Sequence, residues 1–195
     1  GAFGGQMVRS YMVTIFVTCS GTVMGVSLMG LYAYALSRKE FRLRKFLSFF
    51  ILVPMLFSGG MLSSYLINTQ LYHLNDSLLA LILPGVSTMY IIMMRTYIQT
   101  NIPDSVVESA RMDGAGEIRT FIRIVLPMML PAMAAVGFML GVGYWNAWMP
   151  AYLYISSPEK TPLQLLMVRI QDNIDFLLQQ AAKDPSMNYT ELSKN

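Results

Sequence analysis

Four long apolar runs punctuate the chain. Residues 10–37 carry no charged side chain, and neither do residues 46–67, 77–94 and 128–155. A helix that crosses a bilayer needs about 20 predominantly apolar residues, so each run is long enough or nearly so. The third reaches about residue 98 if Arg95 snorkels to the interface. The pattern therefore predicts spans at about 10–37, 46–67, 77–98 and 128–155. The last contains Gly137, Gly141, Gly143 and Pro150, which let it bend or end early. Beyond residue 155 the pattern changes. Leu163, Leu166, Met167, Ile170, Ile174, Leu177 and Leu178 form an amphipathic stripe at helical spacing, and the chain is polar from Lys183 onward.

Polar positions between the runs set an orientation. Residues 38–45 hold Arg38, Lys39, Arg42, Arg44 and Lys45, and residues 95–127 add Arg95, Arg111, Arg119 and Arg123. The stretch 69–76 has no Lys or Arg. The positive-inside rule places both basic stretches in the cytoplasm, and residues 1–9, 68–76 and the tail after 155 outside. Composition agrees with a bilayer as solvent: 13% of residues are charged and 54% hydrophobic, with mean hydropathy +0.47, where soluble domains carry about 25% charge. The predicted fold class is an all-α integral membrane protein, a polytopic helical bundle. Residues 1–155 form its membrane core, and 156–195 an extracytoplasmic amphipathic segment with a polar tail. The net charge of +3 is too small to argue for nucleic acid.

The segment 103–127 is charged and flanked by helix signals. Pro103 ends one helix and favours a new start. Ser105 and Glu108 stand at capping-box spacing, and Gly114 is placed as a helix stop. A second amphipathic piece follows with Ile118, Phe121, Ile122 and Val125 at helical spacing, Arg119 and Arg123 lying on its other side.

Within this segment Glu108-Ser109-Ala110, three residues, Gly114, nine residues and then Ile124-Val125-Leu126-Pro127 resemble the EAA loop of the membrane subunits of ATP-driven bacterial importers. Ser109 stands where that pattern usually has Ala. Other stretches resemble the carbohydrate branch, of the oligosaccharide and aldouronate type: Ala33-Tyr34-Ala35-Leu36-Ser37-Arg38, Phe57-Ser58-Gly59-Gly60 followed by Tyr65, Val142-Gly143-Tyr144-Trp145-Asn146, and Pro162-Leu163-Gln164. The resemblance implies a permease subunit of the type I importer fold in the bacterial plasma membrane. It also implies a second permease subunit in a heterodimer, two cytoplasmic ATPase subunits and an extracytoplasmic solute-binding protein. A further span would precede Gly1 and another would follow Asn195, so the chain, which begins with Gly, reads as a fragment or a processed product. On this resemblance Ser105, Glu108, Ser109, Ala110, Gly114, Ile124, Leu126 and Pro127 couple to the ATPase. Val106, Val107 and Ala110 would fill a groove on it, and Glu108 would meet a cation. Arg111 and Asp113 read as a solvated face.

Other candidate chemistry is sparse. No G-x-x-x-x-G-K-[ST] phosphate loop occurs, so ATP hydrolysis is expected on a separate subunit and the chain is not read as an enzyme. No cofactor or metal site is expected. His73 is the sole histidine, and Cys19, the sole cysteine, reads as a small packing residue. Gly141 and Gly143 read as close helix packing. Asn146 and Trp145, with Tyr65, are candidates for the solute pathway. Asn can bond sugar hydroxyls and Trp can stack on sugar faces, but both also serve packing and interface roles. Two alternatives stay open: a related permease for another solute, and a membrane scaffold or sensor.

Overall fold

The computed structural model describes residues 2–57 and 59–183, and the polar tail predicted after Lys183 lies outside them. All regular structure among the described residues is helical, with no strand among them. Helix α1 (Ala2–Ser37) is followed by α2 (Arg44–Leu56) and α3 (Gly60–Leu66), which continues into a π turn, Ile67–Leu71. Helix α4 (Leu79–Ile82) leads through a 3-10 turn, Leu83–Gly85, to α5 (Thr88–Asn101). Next come α6 (Asp104–Met112), α7 (Glu117–Thr120), a π turn at Phe121–Val125 and α8 (Leu126–Asn146). Helices α9 (Met149–Tyr154) and α10 (Leu163–Lys183) complete the order.

Among the described residues two helices are long and apolar enough to cross a bilayer, Gly4–Ser37 and Glu117–Asn146. The pair Arg44–Leu56 and Gly60–Leu71 meets the same standard only when taken together. The first apolar run is thus one helix, which starts before residue 10. The second is divided between α2 and α3. The third is not one helix, because Pro84 supplies no backbone N–H and Val86 is extended (φ −89°, ψ 112°). The fourth ends early, as the glycines and Pro150 suggested: α8 stops at Asn146 and α9 restarts at Met149. It also begins earlier than its apolar run. The π turn carries α7 into α8 ahead of Pro127, so a single helix runs from Glu117 to Asn146. The amphipathic stripe after residue 162 is helical, as the spacing predicted.

Broken backbone at membrane depth needs partners from the protein itself. The break between α4 and α5 lies on the small-residue face of α1. Gly25 lets Gly85 O approach to 3.2 Å of where a Cβ would sit. The Tyr144 hydroxyl donates to Ile82 O at 2.6 Å, and Ser87 N–H donates to Met29 Sδ at 3.4 Å. Gly141 faces Thr22 across the same interface, whereas Gly143 has open space around it and takes no part in that contact.

Packing divides into two cores. Met29, Ala33, Leu36, Met94, Val107, Val125 and Met129 gather around the end of α1 that leads to the basic loop. Val17, Leu81, Ile82, Ala151, Tyr154 and Leu165 gather toward its other end. There Thr14 Oγ1 accepts from Leu163 N–H at 2.8 Å in a buried position and ties the start of α10 to α1. Outside these cores large apolar side chains lie open, among them Val23, Leu56, Met89 and Phe138. Cys19 also lies on an exposed face of α1, outside both cores.

Candidate functional site

The segment 103–127 folds as two helical pieces around Gly114. Pro103 stands at the N-cap of α6 with extended backbone (φ −61°, ψ 138°), and Asp104 supplies a negative charge to the first turn. The capping box is not formed. Asp104 and Ser105 are already helical, so the Ser105 side chain caps nothing. Its carbonyl instead accepts from Ser109 Oγ at 2.8 Å. Gly114 behaves as predicted: its φ of +79° suits glycine, and a Cβ there would meet nothing, so conformation rather than space sets the requirement.

Helix α6 has two unlike faces. Val107 and Ala110 are buried inside this chain, Val107 within the first core. They are therefore not free to fill a groove on a partner, which corrects that expectation. Ser105, Glu108, Ser109 and Met112 recur at helical spacing on the opposite, exposed face. Met112, 88% exposed, was not singled out in the sequence, where a lone Met between charges carries no signal. Ile118 and Ile122 are also exposed, while Phe121 and Val125 are buried; the π turn at Phe121–Val125 changes which side chains share a face. Ile124 and Leu126 are half-buried and Pro127 is exposed.

Arg111 is the centre of the site rather than a solvated bystander. Its guanidinium bonds both Glu40, from the basic loop, and Glu117, at the start of α7, with Nε 2.9 Å from Glu117 Oε1. These carboxylates raise its already high pKa, so it stays charged. Glu117 also accepts from the Tyr34 hydroxyl at 2.9 Å, and Arg38 stacks 5.0 Å above the Tyr34 ring. Lys39 meets Asp104 at 3.2 Å. The far end of α1, the basic loop, α6 and α7 are thereby joined by ion pairs and hydrogen bonds. Glu40 as the sole acid among five cations, and Glu117 six residues after Arg111, were the available signals.

The pathway candidates do not converge. Trp145 is half-buried and meets Tyr11 edge-on at 6.2 Å. Tyr65 stacks on Tyr154 at 5.9 Å, and Asn68 donates to the Tyr154 hydroxyl at 3.0 Å. Asn146 is exposed at the end of α8 and donates to Val142 O at 2.9 Å, so part of its amide is satisfied within its own helix. Ser58 lies outside the described residues. Near Asn68 a second tie closes the opposite end of the molecule. Asp76, at φ +53°, accepts from Ser156 N–H, Ser157 N–H and Oγ, and Lys160 Nζ at 2.6–3.1 Å. The Ser157 and Lys160 hydrogen bonds hold its carboxyl well below the usual carboxylate range.

The described residues form an α-helical membrane bundle that displays a charged helix between apolar helices. Residues 10–186 match the family described as binding-protein-dependent transport system inner membrane component, and the chain belongs to that family. It is 41% identical over 163 residues to the polygalacturonan/rhamnogalacturonan transport system permease protein YtcP of Bacillus subtilis (strain 168), covering 83% of this chain and 56% of that protein. Protein LplC of the same organism is 36% identical over 163 residues, covering 83% and 55%. The structure resembles a chain of a bacterial ABC transporter involved in the import of the acidic polysaccharide alginate, with TM-score 0.78, 32% identity and 84% and 58% coverage. The chain spans a little over half the length of these proteins.

Proposed function

We propose that this chain is part of the permease subunit of an ATP-driven importer for an oligosaccharide or polysaccharide. It forms part of the solute pathway with a second permease subunit in the bacterial plasma membrane. An extracytoplasmic solute-binding protein delivers the solute, and two cytoplasmic ATPase subunits hydrolyse ATP. The names of the similar proteins support a carbohydrate, and the basic stretches at 38–45 and 95–127 support a cytoplasmic position for the EAA segment.

The observation that carries the coupling role is the two-faced α6. Its inner face, Val107 and Ala110, is locked into the bundle, and its outer stripe, Ser105, Glu108, Ser109 and Met112, is free for an ATPase. A push on the stripe passes to α1 and α8 through Arg111, Glu117 and Tyr34 rather than dissipating in a loose loop.

The test uses the full-length protein with its partners. Glu108→Lys and Met112→Asp change only exposed side chains, and Gly114→Val forces a β-branched residue into positive φ, at about 1 kcal/mol or more. All three are expected in the membrane at near-normal levels, with weakened ATPase association or hydrolysis that ignores loaded binding protein. Normal solute-stimulated hydrolysis in all three would reject the coupling role. Of the pathway candidates, Asn146 has an exposed side chain whose Oδ1 forms no hydrogen bond among the described residues. Asn146→Ala is expected to shift the concentration dependence of transport; failed assembly with unchanged dependence would make it a packing residue.

A further inference from the structure

Beside the coupling region lies a groove of about 640 Å³ whose lining changes character along its length. At one end stand Arg42, Arg44 and Lys45, with Arg95 reaching in from α5; along α2 the lining turns to Phe49 and Leu52. From Lys45 to Leu52 the helix rises about 10 Å, so cations give way to hydrocarbon over the depth at which a headgroup gives way to acyl chain.

Most of the groove's cations are not neutralised among the described residues. Lys39 is held by Asp104 and Glu40 is taken by Arg111, whereas Arg42, Arg44, Lys45 and Arg95 form no ion pair among the described residues. Arg95 is half-buried and its Nε is shielded from solvent without a hydrogen-bond partner. A buried donor on a charged group is costly to leave unmet. Phe49 and Leu52 are exposed, 65% and 47%.

We propose that this groove holds one anionic phospholipid of the cytoplasmic leaflet, its phosphate between Arg95 and the Arg42–Lys45 cations and its acyl chains along Phe49 and Leu52. Basic pockets beside spanning helices recognise anionic headgroups through charge, while the leaflet presents them at high local concentration. The groove adjoins the Lys39–Asp104 and Arg111–Glu40 contacts, so a bound lipid would brace the basic loop to which α6 is tied.

The test is native mass spectrometry of the complete, detergent-purified complex, offered equimolar dioleoyl phosphatidylglycerol and dioleoyl phosphatidylcholine. Lipid retention is the readout, so it stands apart from any result on transport. The wild-type complex is expected to retain phosphatidylglycerol preferentially. At about 1 kcal/mol per basic side chain, Arg95→Gln weakens retention about fivefold and the Arg42→Gln/Lys45→Gln pair roughly 30-fold. Arg95→Lys keeps most of it, and Arg123→Gln, an exposed cation elsewhere, changes nothing. If Arg95→Gln fails to assemble, the exposed pair carries the test. Equal retention of both lipids overturns the proposal, whether the groove is empty or filled by another part of the complete protein. A loss in Arg123→Gln matching that of the groove variants makes the attraction nonspecific. Loss of preference on adding inorganic phosphate reassigns the site to a free anion.

Discussion

Gly21→Ala is expected to destabilise the bundle far more than a single methyl group suggests. A Cβ at Gly21 would lie 2.5 Å from Tyr144 Cζ and 2.8 and 2.9 Å from its two Cε atoms, where ordinary contact begins at 3.4 Å. The ring cannot simply retreat. Its hydroxyl bonds Ile82 O at 2.6 Å, and it is pressed against Gly85 on the other side, where an added Cβ would meet Tyr144 Oη at 1.9 Å. Overpacking costs about 1–3 kcal/mol, and losing the hydroxyl bond adds about 1 kcal/mol. The sum is roughly 2–4 kcal/mol. Gly143→Ala on α8 is the control, because a Cβ there has open space around it. It is expected to be neutral or to stabilise by about 0.5–1 kcal/mol through helix propensity. Thermal unfolding of the full-length protein in one detergent compares the two. Combining Gly21→Ala with Tyr144→Ala should cost less than the sum of the single changes, since removing the ring removes the clash. Equal midpoints for Gly21→Ala and Gly143→Ala, or a strictly additive double variant, would refute the reasoning that Tyr144 is wedged between α1 and the α4–α5 break.

Thr14→Val leaves the buried Leu163 N–H without an acceptor, at about 1–3 kcal/mol; faster hydrogen exchange at the start of α10 is the expected sign, and unchanged protection would reject it. Asp76 has a depressed pKa, so its tie to residues 156–160 is intact above the unfolded carboxylate pKa and is lost only as pH falls through the lower folded value. Proteolysis of residues 155–161 should therefore be unchanged between about pH 7 and 5, and faster throughout in Asp76→Asn; a marked rise within that window in the wild type would contradict the assigned hydrogen bonds. With Cys19→Ser as background, cysteines at Arg42 and Glu117 are expected to resist an impermeant thiol reagent in intact cells, while one at Asn75 is labelled; the reverse pattern would invert the orientation.

Sequence alone determined that the chain is helical and meant for lipid, because residues 10–37 and 128–146 carry no charged side chain to hold a surface in water. It also located Gly114, since a helix stop that needs positive φ is a local property. The spacing from Glu108 to Pro127 marked the candidate coupling segment, which lies inside the residues 10–186 that match the family. Only the tertiary structure decided which face of α6 is spent. Helical spacing makes Val107 and Ala110 equivalent to a partner-facing stripe until folding buries both, Val107 in the core it shares with α1, α5 and α8. The same holds for Arg111, whose two carboxylate partners come from a different loop and a different helix. The break at Leu83–Gly85 interrupts the span predicted over 77–98: Pro84-Gly85 carries a local signal for it, but nothing local shows how such a break is tolerated. Its free carbonyl and amide are met by Tyr144 and Met29, which lie 62 and 58 residues away along the chain. Local pattern fixes what a segment can form; which polar groups end up satisfied, and which surfaces stay open, depends on distant residues that only folding brings together.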